Sequence, residues 1–557
     1  MEVADLVFTI EDLGYIKIIG GEADNNSASG TCLAEANGNT YILNGGTYSG
    51  TIYAGYASLT NADSGTAEAS NNRVELRNGS SGAPDLTNAS ICVAKASANN
   101  ANVTLKSTGN SLNFYDVKGM TAKSISGFQS LNYEYSEMVA GDVILTVTGT
   151  DDEKTTSIAK TDVSVSVVNL YGKNSGEFKI GDKVVLLKND NGLDTTDIKT
   201  KAVITAETGI SLTYEVEIQT NDDGTELFLT RTGTNDRGDK DGTTVNPGTK
   251  AIAEGAAAGL ALVNESANAS IEFLRDFSVS GGSITPFVYV QGSSMRHETG
   301  SSINMSAVSL MAGLGTGIET GAGTLSAGAF FEYGKGSYTT HNSFSNYSDV
   351  DGDGNSWYMG AGILAKMDFV PTGPGHFYLE GSAHMGTLHN EYDSNDLYDA
   401  NGNVAKFDMD SPYYSLHGGL GYVWNMAEGH DLDVYGKYIW TRVQGTDDTL
   451  TTKDKFEYDD MDSNRVRFGV RYTYKGSERF VPYVGAAFEH EFSGSCDSKA
   501  YGHSVAAPSF KGSSGMGELG LMMKPTEELP LSINLGVQGY VGQKQGVSGN
   551  CNIMYEF

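Results

Sequence analysis

The sequence predicts an all-β protein: a parallel β-helix-like N-terminal part with a strand-rich cap, a helix held in a pore, and a C-terminal twelve-stranded antiparallel transmembrane β-barrel. Three observations carry this prediction. Short β-prone runs separated by Asn, Gly and Ser recur through the first 175 residues. Twelve segments of alternating apolar and polar residues fill the chain after residue 284, and the connections between them alternate between short and long.

Composition and charge exclude several classes of protein. The 557 residues include 69 acidic and 37 basic side chains, which gives a net charge of −32 and excludes a basic nucleic-acid binder. A helical membrane protein is excluded because no run of about 18 apolar residues occurs. All nine His lie beyond residue 284, so the first half cannot supply a Ser-His-Asp triad or a His-ligated metal. We therefore expect a protein that is not an enzyme and that needs no cofactor.

The N-terminal part, 1–175, repeats runs such as TYILNGGTYSGTIYAGY, RVELRNGS and DVSVSVVNL about every 15 to 25 residues. This spacing is typical of a parallel β-helix, in which each coil buries its apolar face against the next coil. An antiparallel β-sandwich is the alternative. Residues 176–233 are predicted to form a strand-rich cap with hairpin turns at NDNG and NDDG, and the Gly/Asp-rich residues 234–248 a linker.

The segment 249–277 is the one stretch with helical composition, because Ala, Leu and Glu dominate it. Its many Ala and Gly255 make the helix narrow, while Asn264 and Asn268 make it polar for a buried helix. These properties suit a water-lined tunnel. An amphipathic helix on a domain surface is the alternative, and the strands that follow favour the tunnel.

The segment 278–557 contains the twelve predicted strands, each long enough to cross a bilayer as a tilted strand of about 9 to 11 residues. They begin near Ile284, Ile303, Thr324, Trp357, His376, Tyr413, Leu432, Arg465, Val481, Gly515, Leu531 and Val547. In RVRFGVRYTYK, for example, Val466 and Phe468 lie on one face, and Arg465 and Arg467 lie on the other. An even number of strands returns the C-terminus to the side of the membrane where the first strand begins.

Together the β-helical first half, the cap, the helix AAAGLALVNESANASIEFLRD, the twelve strands and the terminal YEF resemble a classical monomeric autotransporter of the type V secretion pathway. The match is most specific over the helix and barrel. It implies a monomeric barrel in the outer membrane of a Gram-negative-type bacterium, surrounded by lipid, with the helix crossing the lumen and the N-terminal part displayed as a passenger on the cell surface. It also implies that 176–233 is autochaperone-like and that Ile553, Tyr555 and Phe557 form the signal for the barrel-assembly machinery.

Polar residues of the lumen are the remaining candidates for a site. They are Asn264, Asn268, Arg275, Glu332, Glu380 and Glu518. Ion pairs between the strand carboxylates and Arg275 or Lys250 are one expectation, and hydrated lumen charges are the alternative. Some autotransporters cut the passenger free at an Asn-Asn pair in the helix. Here Asn264 is followed by Glu and Asn268 by Ala, so we expect the passenger to stay attached.

The run Asp349-Val-Asp351-Gly-Asp353-Gly has the opening of a calcium-binding loop. The twelfth position is Gly360 instead of the Glu that completes such a loop, so Asp349, Asp351 and Asp353 are a weak metal site and an acidic surface loop is the alternative. We predict no other metal site.

We expect the passenger to act as an adhesin or interaction surface toward an unknown ligand. An enzymatic passenger with hydrolase activity and a solute-conducting pore are the alternatives. The first residues, MEVADLVFTIEDLGY, lack the basic and apolar regions of a signal peptide, so the sequence leaves open whether a longer native N-terminus precedes Met1.

Overall fold

The computed structural model describes residues 2–4, 7–10, 18–25, 31–149, 154–201, 204–231, 243–345, 347–399, 401–477, 479–525 and 530–557. The chain divides into two compact units, Met1–Thr244 and Val245–Phe557. Within the described residues, no helix is both long enough and apolar enough to span a membrane.

The first unit is built from short strands. In chain order these are β1 Glu2–Ala4, β2 Val7–Ile10, β3 Ile18–Asp24, β4 Thr31–Asn37, β5 Thr40–Asn44, β6 Thr47–Leu59, β7 Ser64–Glu68, β8 Arg73–Arg77, β9 Asp85–Ala98, β10 Val103–Lys106, β11 Ser111–Tyr115, β12 Met120–Ser126, β13 Ser130–Val139, β14 Val143–Val147, β15 Thr156–Ser157, β16 Asp162–Tyr171, β17 Lys183–Lys188, β18 Leu193–Asp194, β19 Lys199–Thr200, β20 Ile204–Thr208, β21 Leu212–Thr220, β22 Glu226–Arg231 and β23 Thr243–Val245.

Strands β1 to β17 pair in parallel with the equivalent strands of neighbouring coils, which is the arrangement expected of a β-helix. One ladder runs β2–β5–β8–β11–β13–β16 and a second runs β3–β6–β9–β12–β14–β17. The buried Asn39, Asn72 and Asn110 lie at the same turn of successive coils, 33 and 38 residues apart, and hydrogen-bond one another inside the stack. An antiparallel β-sandwich has no such parallel ladders, so this alternative for residues 1–175 is excluded.

Parallel stacking ends within the 176–233 segment. Strand β17 pairs antiparallel with β22, and β20, β21 and β22 form an antiparallel meander. Residues 234–242 of the predicted linker lie outside the described residues.

The second unit is a closed barrel that contains the helix α1 Lys250–Asp276. Its twelve wall strands are β24 Ile284–Glu298, β25 Ser302–Thr320, β26 Gly323–Asn342, β27 Val350–Phe369, β28 Gly375–Tyr398, β29 Val404–Ala427, β30 His430–Val443, β33 Met461–Tyr474, β34 Phe480–Glu491, β37 Gly512–Met523, β38 Leu531–Gly542 and β39 Lys544–Tyr555. Between them the longer connections hold β31 Asp447–Thr449, β32 Lys455–Tyr458, β35 Ser498–Ala500 and β36 His503–Ser504, which form a separate small sheet. All wall strands pair antiparallel, and β39 pairs with β24 to close the barrel.

Burial alternates along the wall strands with a period of two residues. On β33 the Arg465 and Arg467 side chains are buried toward the lumen, while Phe468 and Val470 face outward and are exposed. The outward positions of β27 from Trp357 to Phe369 are all apolar, whereas the outward positions before them are Asp351, Asp353 and Asn355. This boundary marks the edge of the apolar belt that faces lipid.

Several of the long connections predicted between the barrel strands are largely strand in the structure. Strands β26 to β29 continue far beyond the apolar belt, so only 343–349 and 399–403 remain as connections there. The predicted calcium loop is also strand from Val350 onward. Asp351 and Asp353 lie in β27 on one face of an extended strand, where successive same-face residues are about 6.6 Å apart and cannot wrap an ion. Asp351 accepts instead from His341 on the neighbouring strand, 2.6 Å away.

Candidate functional site: the helix in the barrel lumen

Helix α1 fills the lumen of the barrel. It is preceded by a turn in which the Asn246 side chain accepts a hydrogen bond from the Gly248 amide, and it ends where Phe277 adopts an extended conformation. All residues from Ala251 to Arg275 are buried, over a length of about 40 Å at 1.5 Å per residue. Burial on every side of one helix shows that the strands enclose it.

Small residues allow the helix and wall to approach closely at the N-terminal half of α1. A Cβ atom at Gly255 would lie 2.5 Å from Cδ2 of Tyr392, and one at Gly259 would lie 2.8 Å from Cδ2 of Leu388. The carbonyl oxygen of Gly255 accepts hydrogen bonds from Tyr338 and Asn390 of the wall, at 3.2 and 2.9 Å. A larger side chain at Gly255 would therefore displace both the ring and these bonds.

The C-terminal end of α1 is tied to the wall by ion pairs. Arg275 places Nη1 2.8 Å from both carboxylate oxygens of Glu518 and lies over the ring of Tyr435, 4.4 Å from its centroid. Glu518 also accepts from Arg471, which in turn pairs with Asp276 of the helix at 3.0 Å. The buried guanidinium groups and carboxylates thus alternate and neutralise one another.

A second polar cluster lies one to three turns further toward the N-terminus. Arg467 donates to Glu272 and Asn268 of the helix, at 2.8 and 3.0 Å, and to Glu489 of β34 at 2.7 Å. Arg465 donates to Asn264 and Asn268 at 3.1 and 3.0 Å. Two arginines of one strand therefore satisfy three polar residues on one face of the helix.

The remaining predicted acids have different partners. Glu332 accepts from Ser266 of the helix at 2.6 Å and also contacts His384 and Tyr413 of the wall. Glu380 lies 2.5 Å from the ammonium of Lys437 and 3.3 Å from His417. It therefore belongs to a cluster of wall residues.

The opposite side of α1 packs through apolar contacts near its C-terminus. Phe273 stacks on Phe287 at 4.3 Å between ring centroids, and both belong to a buried cluster that closes this end of the lumen. The cluster consists of Ala269, Phe273, Leu274, Phe277, Val279, Phe287, Tyr289, Met311, Phe330 and Leu364.

Sequence reasoning missed some of the lumen partners. The predicted Asn264, Asn268 and Arg275 all contact the wall. The sequence placed their partners Arg465 and Arg467 only on a polar strand face. It did not identify Lys544, which donates to Glu265 of the helix at 3.0 Å. The alternation of arginine with apolar residues in RVRFGVR was the signal in the sequence that pointed to Arg465 and Arg467 as lumen residues.

The C-terminal residues lie at the seam of the barrel. Ile553 faces outward and is 42% exposed, and Phe557 is 76% exposed. The Phe557 amide donates to the Ile284 carbonyl at 3.0 Å, so the terminus lies beside the start of the first barrel strand.

The barrel region is similar to known proteins. Residues 298–536 match the family described as the autotransporter β-domain. Similar solved structures include the β-domain of the Bordetella autotransporter Brka (14% identity over 49% of this chain and 99% of that one, TM-score 0.39). They also include the transport unit of the autotransporter AIDA-I from Escherichia coli (16% identity over 55% of this chain and 99% of that one, TM-score 0.41). A third is the translocator domain of the autotransporter NalP from Neisseria meningitidis (16% identity over 55% of this chain and 97% of that one, TM-score 0.39).

No curated protein matches the chain. The family match and the closed twelve-stranded barrel around a buried helix carry the assignment. Residues 298–536 are therefore assigned as an autotransporter β-domain, whose barrel lies in the outer membrane of a Gram-negative bacterium.

Proposed function

We propose that the barrel and α1 anchor the first unit on the cell surface, where it stays attached and acts as an interaction surface of the adhesin type. One observation carries this proposal: α1 is buried along its length in the lumen and continues within a few residues into β24. The chain before the helix must therefore leave the barrel at the opposite end from β24's first residue.

The contacts at the N-terminal end of α1 indicate at which opening of the barrel the helix begins. Lys250 donates to Ser301 at 2.5 Å, and Asn246 donates to Tyr347 at 3.1 Å. Both partners lie in connections on the side that also carries the long segments 444–460 and 492–511. In an outer-membrane barrel the longer connections face outward and the tight turns face the periplasm.

Attachment is supported by the lumen contacts. Asn264 and Asn268 are both bound by Arg465, and neither is followed by a second Asn. An Asn-Asn cleavage reaction therefore has no matching residues here, and the ion pairs of Arg275 and Arg467 hold the helix in place.

The proposed topology is tested with a site-specific protease on intact cells. A recognition sequence inserted after Asp223, in an exposed turn of the first unit, is expected to be cut without permeabilisation. The matched control, the same sequence inserted after Thr372 in the tight turn 370–374, is expected to be cut only after permeabilisation. Protection of the first site would refute display, and a free passenger fragment in the supernatant of unmodified cells would refute attachment.

The adhesin role needs a separate test. Cells that express the full chain are expected to be retained on at least one member of a panel of immobilised glycans and proteins, and cells whose chain lacks 31–149 are not. Since the first His is His297, we propose that the displayed unit is not a hydrolase. Ester or peptide hydrolysis by those cells that depends on 31–149 would contradict this.

A further inference from the structure

A cluster of His and carboxylate side chains lies on the outer wall of the barrel, away from the lumen site. His389 and Glu391 are outward-facing residues of β28, and Asp408 and Asp410 are outward-facing residues of β29. The strand register pairs His389 with Asp410 and Glu391 with Asp408. These two cross-strand pairs are neighbours on the outward face and therefore bring four potential ligands together.

The cluster lies just outside the apolar belt. His389 pairs with Trp357 on its other side, and the two rings stack at 5.2 Å. Toward the tight turns the outward residues beyond Thr387 are apolar, as at Met359 and Met385, which are more than half exposed. The site is thus in water at the level where the polar surface of the outer leaflet begins.

The hydrogen bonds around the imidazole resemble those of a metal ligand. Nδ1 of His389 is 2.9 Å from Oδ1 of Asp410, so a neutral ring donates there and presents the Nε2 lone pair. Nε2 is directed between Oε1 of Glu391 at 3.1 Å and Oδ1 of Asp408 at 3.5 Å. These three ligand atoms lie within 4.8 Å of one another. A metal ion about 2.1 Å from each spans at most about 4.2 Å, so binding needs the two exposed carboxylate oxygens to lie within that distance of each other.

We propose that His389, Glu391 and Asp408 bind a divalent transition-metal ion of the Zn²⁺ type, with Asp410 as the carboxylate that orients His389. One imidazole nitrogen and two carboxylates leave a coordination position for water, and the nitrogen ligand favours Zn²⁺ over Mg²⁺ or Ca²⁺. Three carboxylates around one neutral imidazole carry a net negative charge, most of which a dication neutralises. Binding would join the outer ends of β28 and β29.

The test is metal titration of the purified full chain in detergent by isothermal calorimetry, with ZnCl₂ and then MgCl₂. We expect one Zn²⁺ per chain, no binding to His389→Ala, and an affinity at least tenfold weaker for Asp408→Asn. Asp410→Asn is expected to lower affinity by about 10- to 100-fold through the orientation of the ring. Folding of each variant is checked by the heat-dependent shift of the barrel on gels.

The matched control is His341→Ala. His341 is also exposed on the outer wall and contacts one carboxylate, Asp351, but its Nε2 contacts Ser343 and, among the described residues, no second acid. This variant is expected to bind Zn²⁺ as the unmodified chain does. The proposal is overturned if the unmodified chain takes up no Zn²⁺, which would leave a protonated His389 in ion pairs, or if His389→Ala binds with unchanged stoichiometry and affinity.

Discussion

Arg467 is the largest of the fully buried side chains in the described part of the chain. Its guanidinium joins Glu272 of the helix to Glu489 of the wall, at 2.8 and 2.7 Å. A charge of this kind is tolerated in a lumen because each guanidinium nitrogen has an acceptor. The second negative charge is offset by Arg275, 3.5 Å from Glu272, and by Arg465, 3.7 Å from Glu489. The side chain therefore couples the helix to the barrel.

Replacing Arg467 by Ala is expected to lower the free energy of unfolding by about 3 to 5 kcal/mol, because Glu272 and Glu489 each lose the nearest of their buried arginine partners. The control is Lys475→Ala. Lys475 pairs with Asp431 but is 56% exposed, so its loss is expected to cost about 0 to 1 kcal/mol. Both are measured by denaturant unfolding in lipid vesicles, and equal losses would contradict the coupling role.

Helix α1 fits its lumen because its residues are small where the wall rings are large. Gly255 faces Tyr392, which stacks on Phe407 and Tyr338 and cannot move without disturbing them. Gly255→Leu is expected to destabilise the barrel by about 1 to 3 kcal/mol through overpacking. The Tyr392→Ala variant removes the clash, so the double variant is expected to be more stable than the sum of the single losses predicts. Strict additivity would show that the two residues do not touch.

The element types follow from sequence, but their pairing does not. Alternation in RVRFGVR shows which face of β33 enters the lumen, because a strand has a period of two. It does not show that Arg467 meets Glu272, since that depends on the height of the helix and on the shear of the barrel. Strand ends beyond the belt were mistaken for loops because residues such as Asp351 and Asp353 are polar on the outward face, as in a surface loop.

At the scale of the whole molecule, the barrel's position in the membrane follows from its outward face. Ile363 lies at the middle of the apolar outward positions of β27 and is 64% exposed, while Trp357 lies at their outer edge. Ile363→Arg is expected to cost about 2 to 4 kcal/mol of folding free energy in vesicles, and Trp357→Arg about 0 to 1 kcal/mol beyond its lost packing. An equal cost at both positions in denaturant titrations would show that the belt is placed incorrectly.

The central claim is that α1 occupies the lumen of the assembled barrel in the cell. Ser270 of the helix and Ser382 of β28 are buried, with their hydroxyl oxygens 3.3 Å apart, a separation close enough for a disulfide after exchange to Cys. In outer membranes oxidised before denaturation, the Ser270→Cys/Ser382→Cys double variant is expected to gain no maleimide-reactive thiol over the unmodified chain, while each single variant gains one. A gain of two thiols in the double variant, with the barrel folded, would contradict the account.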